Sequence, residues 1–158
     1  MRPRLAIIGT GGHARVVLEA VRAEGRAEVW GFLDDDHCRH GGYLDGVVIH
    51  GGVELLAERR SEIDAVIVAV GSNPDRQRLA RMAEASGLEL GTAVHPSAVL
   101  SPAAVIEPGT VLVAGSIVQP GAYVGGNVIV NTGATVDHDC RVGEGSHLAP
   151  GVHLGGQV

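Results

Sequence analysis

From Val94 to Leu154 an aliphatic residue returns at every sixth position: Val94, Leu100, Ile106, Leu112, Val118, Val124, Val130, Val136, Val142, Leu148 and Leu154. A helix repeats its apolar face about every 3.6 residues and a strand about every two, so neither generates this beat. A chain that turns after each short strand does, and hexad arrays of this kind build parallel β-helices. Four positions after the aliphatics stand small or β-branched residues, at Ala98, Ala104, Thr110, Ser116, Ala122, Ala134, Cys140 and Ser146, as expected of corners with little room. Gly109, Gly115, Gly121, Gly133, Gly145 and Gly151 stand one position earlier, where a tight turn calls for positive φ. The second half of the chain is therefore expected to wind as a prism, each hexad one strand and one turn.

Composition agrees. Aromatic residues make up only 3% of the 158, so the core must be built from Val, Leu, Ile and Ala, which suits narrow repeated layers. A net charge of −6 with scattered arginines leaves no electrostatic footprint for nucleic acid or an anionic membrane, and favours small-molecule partners. Cys38 and Cys140 form no paired spacing, as in a reducing compartment. The few apolar residues between Arg4 and Gly9 are too short for a signal peptide or membrane span. A cytoplasmic protein is expected.

The first half reads differently. Strands are expected at residues 5–8, 29–33, 47–49 and 65–70, with helices at 14–23, at 53–60 and from Pro74 to about 85. Alternating βα units imply a parallel sheet that binds ligands at the carboxyl ends of its strands. The expected architecture is an α/β Rossmann-like domain over residues 1–93 followed by a parallel β-helix over 94–158.

Gly9, Gly11 and Ala14 fit the G-x-G-x-x-G/A fingerprint, with Gly12 and His13 inside it and Asp34 and Asp35 ending the next strand. Backbone N–H groups at a helix N-terminus attract any phosphate, and carboxylates beyond the second strand accept from ribose hydroxyls. A dinucleotide and a nucleotide sugar both satisfy this chemistry; a tight turn with solvated aspartates is the plain alternative. His13, facing the ligand side, can donate to a phosphate or sugar. Gly71 and Asn73, after the third long strand, are expected to line the same pocket.

One hexad coil is unusually polar: Asn131 and Thr132, then Asp137, His138 and Asp139, with His147 beyond. A neutral histidine can take a proton from an amine or hydroxyl attacking an acyl group, and a neighbouring carboxylate would fix its tautomer. Asp139 is the candidate companion and Asp137 the alternative. Cys140 falls in the small-residue phase and reads as packing.

Taken together, the run from Ile8 to His13, Phe32-Leu33-Asp34-Asp35, Val70-Gly71-Ser72-Asn73, His95-Pro96-Ser97-Ala98, Asn131-Thr132 and the run from Val136 to Cys140 resemble the bacterial nucleotide-sugar acetyltransferases. These belong to the left-handed β-helix, hexapeptide-repeat superfamily and include UDP-4-amino-sugar N-acetyltransferases and sialic acid O-acetyltransferases. The resemblance covers essentially the whole chain. It implies a cytoplasmic homotrimer that moves an acetyl group from acetyl-CoA, a co-substrate, directly to the amine of a UDP-linked amino sugar, with no resident metal or other cofactor. By position it makes His138 the general base and Asp139 its acidic companion, where relatives often carry glutamate. It places Asn131 and His147 beside the thioester and Gly156 at the oxyanion, and assigns Gly9, Gly11, Gly12, His13, Asp34, Asp35, Gly71 and Asn73 to the nucleotide sugar. Relatives continue for further coils, so residues 94–158 read as a truncated β-helix without its C-terminal cap.

Three other readings compete. A sialic-acid-type sugar O-acetyltransferase would use the same base on a hydroxyl. A γ-class carbonic anhydrase-like enzyme would ligate metal through His138, His147 and His153. A non-catalytic nucleotide- or NAD-binding module would use the β-helix only to trimerise.

Overall fold

The computed structural model describes residues 2–158. In the first half, β1 (Arg4–Ile8), α1 (Gly12–Glu24), β2 (Glu28–Leu33), β3 (Tyr43–Leu44), β4 (Val47–Gly51), α2 (Leu55–Glu58), β5 (Ala65–Val68), α3 (Asn73–Ala85) and β6 (Glu89–Leu90) follow in order. They make one sheet of order β3-β4-β2-β1-β5-β6, parallel except for the β3–β4 hairpin. That hairpin was not expected from sequence. Its turn is Asp45-Gly46, both at positive φ (44° and 80°), which is the chemistry a two-residue hairpin demands. Conversely, the helix expected over 53–60 contracts to α2, one turn long.

The local sequence explains the longer elements. α1 buries Val17, Leu18 and Val21 on one face and ends at Gly25, whose left-handed backbone (φ 69°) returns its N–H to Val21 O. Pro74 sits in the first turn of α3, where its missing N–H is harmless. The chain leaves β1 toward β2 on one side and later places β5 on the other, so the loops after these strands diverge around a crevice.

From β7 (Ala93–Val94) onward the chain is a left-handed parallel β-helix of two-residue strands. β7, β10 (Val111–Leu112), β13 (Ile129–Val130) and β16 (His147–Leu148) stack in that order on one face; β8 (Val99–Leu100), β11 (Ile117–Val118), β14 (Thr135–Val136) and β17 (His153–Leu154) form the second; β9 (Val105–Ile106), β12 (Tyr123–Val124) and β15 (Arg141–Val142) form the third. The register is unbroken: Val111 pairs with Ile129 and Ile129 with His147. The six-residue beat is the prism interior, where Leu112, Val118, Val124, Val130 and Val136 are each at most 1% exposed. The glycine phase supplies the left-handed corner, and Asn127, Asp139 and Gln157 occupy the same phase with φ of 55°, 59° and 65°.

The two halves share a core. Leu18 and Val21 of α1 cluster with Ala93, Val111 and Val113 of the first prism face, so the outward side chains of that face are buried by the α/β sheet. The strand interiors are thin, and single aliphatics matter. Leu112, fully buried, is expected to destabilise the protein by about 2–5 kcal/mol when replaced by Ala, because a slender prism cannot collapse into the gap. Denaturant unfolding of Leu112→Ala against the parent checks this.

Candidate active site

The glycine loop lies between β1 and α1. Gly9 has φ 103° and a Cβ there would overlap Val70 and the carbonyl of Ala69, so the loop requires glycine at this point. At Gly11 and Gly12 a Cβ would meet nothing, and both are exposed at the start of α1 with backbone N–H groups available to an anion. Asp34 is held by the loop itself: Oδ2 accepts from Thr10 N at 2.8 Å and from the Thr10 hydroxyl, while Oδ1 accepts from Asp36 N at 2.9 Å. Burial pushes its pKa up, but these hydrogen bonds, with Arg39 nearby, outweigh it and keep Asp34 below the usual carboxylate range. Asp35 keeps more free capacity, accepting only one long bond, from Val53 N at 3.3 Å. Both carboxylates line a cavity of about 310 Å³ with Gly9, Val53 and Val70.

Arg39 was missed by the sequence reading. Its guanidinium donates to Thr10 O at 2.7 Å and to Thr10 Oγ1 at 2.9 Å, which puts a half-exposed cation over the glycine loop. No local motif marks it; only the fold brings it back to Thr10.

A second group of residues gathers where α1 and α3 meet the prism. The rings of His13 and His147 lie 6.4 Å apart, and His13 Nε2 is buried without a partner. Burial, with His147 and Arg76 nearby, lowers His13 to about 4, so it is neutral at pH 7. Asn131 Nδ2 lies 3.0 Å from His147 Nε2, and Asn131 Oδ1 accepts from Thr132 N at 2.8 Å. With the amide donating to Nε2, His147 carries its proton on Nδ1 and faces the backbone of Gly71. Burial and Arg76 lower its pKa, Gly71 opposing them. Gly71 and Asn73, expected in the pocket, are partners of Arg76: the carbonyl of Gly71 accepts at 3.2 Å and Asn73 Oδ1 at 2.8 Å.

His138 occupies a different corner, the turn between β14 and β15. Its Nδ1 meets Asp139 Oδ2 at 3.0 Å, while Asp137 Oδ1 accepts from the His138 backbone N–H at 2.8 Å. Asp139, rather than Asp137, is therefore the ring's companion, and the left-handed backbone of Asp139 folds its side chain back onto the preceding residue. Pairing with Asp139 raises the His138 pKa above its ordinary value. The ring is 55% exposed, with Nε2 directed away from Asp139, and rests on Gly156, where a methyl group would overlap it. Cys140 is buried, its Sγ against Gly155 O, as its corner phase implied. His153 pairs with Thr135 on the second face. Among the described residues no three His, Cys, Asp or Glu side chains converge as a metal site would need.

Comparison with known proteins fits these features. The sequence pattern of the PglD N-terminal domain family matches residues 4–83. The UDP-N-acetylbacillosamine N-acetyltransferase of Bacillus subtilis is 36% identical over 99 residues, covering 61% of this chain and 45% of that protein, so the match spans under half of the curated relative. A perosamine N-acetyltransferase mutant from Caulobacter crescentus, solved with CoA and GDP-perosamine, superposes with a TM-score of 0.91 at 40% identity, covering 97% of this chain and 71% of that one. The acetyltransferase domain of PglB from Neisseria gonorrhoeae, in complex with acetyl coenzyme A, gives a TM-score of 0.88 at 39% identity, covering 98% and 74%. By this pattern, which spans half of the chain, and these likenesses to solved acetyltransferases, the chain belongs to the PglD N-terminal domain family.

Proposed function

We propose that the protein transfers an acetyl group from acetyl-CoA to the amine of a nucleotide-linked amino sugar, with His138 as general base. The observation that carries this is the His138–Asp139 pair at 3.0 Å, which leaves Nε2 without a hydrogen-bond partner beside Gly156 in a ring that is 55% exposed. Asp139 holds the Nδ1–H tautomer, so Nε2 is the basic nitrogen. As the neutral amine attacks the thioester carbonyl, a C–N bond forms and Nε2 takes the amine proton. The tetrahedral intermediate places its oxyanion toward the Gly156 N–H; collapse breaks the C–S bond, and the imidazolium returns the proton to the departing thiolate. Asn131 and His147 flank the thioester end.

The nucleotide sugar is assigned to the first domain, residues 1–93, and the acyl donor to the β-helix, 94–158. The open N–H groups at Gly11, Gly12 and His13, with Arg39 above Thr10, suit a diphosphate, and Asp35 suits a ribose. Named substrates among the relatives include a uridine and a guanosine nucleotide, so the substrate class is a nucleoside diphosphate amino sugar, with the UDP form expected from sequence one member.

One protomer holds the parts apart: Asn131 and His147 on the prism face under the first domain, with His13 of α1 facing His147, and His138 at the corner between the other two faces. A homotrimer would bring one subunit's His138 to its neighbour's sugar site. The outer surfaces of those faces support it, with Val99 60% and Val105 49% exposed.

Three outcomes are expected. His138→Asn lowers kcat by about 10²–10⁴-fold while nucleotide-sugar binding in a thermal-shift assay is unchanged; undiminished turnover removes His138 as the base. Because the raised His138 pKa keeps the ring protonated to higher pH, acetyl transfer rises as pH passes upward through that pKa; Asp139→Asn lowers the pKa and moves this acidic limb to lower pH. Sedimentation equilibrium is expected to give a trimer; a monomer that remains fully active would contradict the shared site.

A further inference from the structure

Arg76, in the first turns of α3, is 1% exposed, and every acceptor of its guanidinium is a neutral oxygen. Nε donates to Asn127 O at 3.0 Å; Nη1 to Val70 O at 3.0 Å and Gly71 O at 3.2 Å; Nη2 to Asn73 Oδ1 at 2.8 Å, Gly145 O at 2.6 Å and Ser146 O at 3.1 Å. These oxygens come from the loop after β5, from Asn73 at the start of α3, and from one prism corner on two successive coils. Asn127 and Gly145 both have left-handed backbones at that corner. Gln77 lies so close to Gly145 that a Cβ there would overlap its amide, and its Nε2 donates to Glu144 O at 3.3 Å, so α3 is seated directly on the turn. The residue after Ser146 is His147, whose ring faces Gly71, itself a partner of Arg76.

We propose that Arg76 is a positioning residue for acetyl transfer: by bridging the segment at 70–73, whose Val70 lines the Asp34–Asp35 cavity, and the backbone of Gly145 and Ser146, it sets the spacing between that cavity and His147. This rests on the functional reading above. Only a planar fork can serve acceptors spread over three segments; a lysine ammonium offers three donors from one point. The charged and titratable groups facing His147 are Arg76 from α3 and His13 from α1, with Asn131 beside it on the prism.

Two variants test it in the protein as it stands. R76K keeps the charge and loses the fork: kcat for acetyl transfer is expected to fall about tenfold or more in folded protein, while both KM values stay within about threefold. R76M keeps the volume and loses the charge: the His147 ring titration, followed by NMR, is expected to move upward, and to stay near the parental value in R76K. A solely structural arginine would lower the melting temperature of both variants and leave kcat unchanged, which overturns the proposal. If R76M does not fold, R76K alone decides, and a kcat within about twofold of the parent overturns it. A parent that acetylates no nucleotide amino sugar sinks the functional reading; the His147 ring chemical shifts in R76K, which keeps the charge, then decide on Arg76 independently, since they match the parent if Arg76 does not set the position of the ring.

Discussion

The molecule depends on a buried guanidinium at the junction of its two halves. Removing such a charge from water is strongly unfavourable unless every N–H finds a partner, and Arg76 finds carbonyls that only this arrangement of segments presents together. Because no carboxylate is among its acceptors, the positive charge is solvated but not neutralised. Its field reaches the two neighbouring imidazoles and favours their uncharged forms, as burial already does. The same potential suits a polyanion resting on the start of α1. One cation thus links the packing of the halves to the protonation of the two imidazoles.

The prism contributes a different constraint. From residue 109 to 157 its corners take a left-handed residue once per hexad, and glycine supplies six of the nine. Where Asp139 takes the position instead, a short carboxylate that tolerates this backbone lies beside the imidazole of the residue before it. In the mechanism proposed, turn chemistry and acid–base chemistry are one choice of residue.

Much of this was legible in the chain. The hexad beat named the β-helix because its period belongs to no other element, and βα alternation with the glycine fingerprint named the first sheet. The Asp139 partnership was readable as one of two options, and the turn decided between them. Arg76 was hidden: among Arg78, Arg81 and the acidic residues of α3 it looks like one more solvated arginine, and its burial depends on carbonyls 51 and 69 residues away. Arg39 was hidden for the same reason. The Asp45-Gly46 hairpin was overlooked although its dipeptide is a strong local signal, because β3 contributes only two residues.

The fixed pairing of residues across successive coils, as in Thr135 with His153, makes position around the prism a matter of counting. Adding or losing a single residue inside a coil would rotate everything after it off its edge, whereas a whole hexad would carry a side chain round to the next edge. Length variation in such a chain is therefore confined to bulges pushed outward at corners. The interior beat protects the geometry of the chemistry on the surface, even though none of the reacting groups belongs to it.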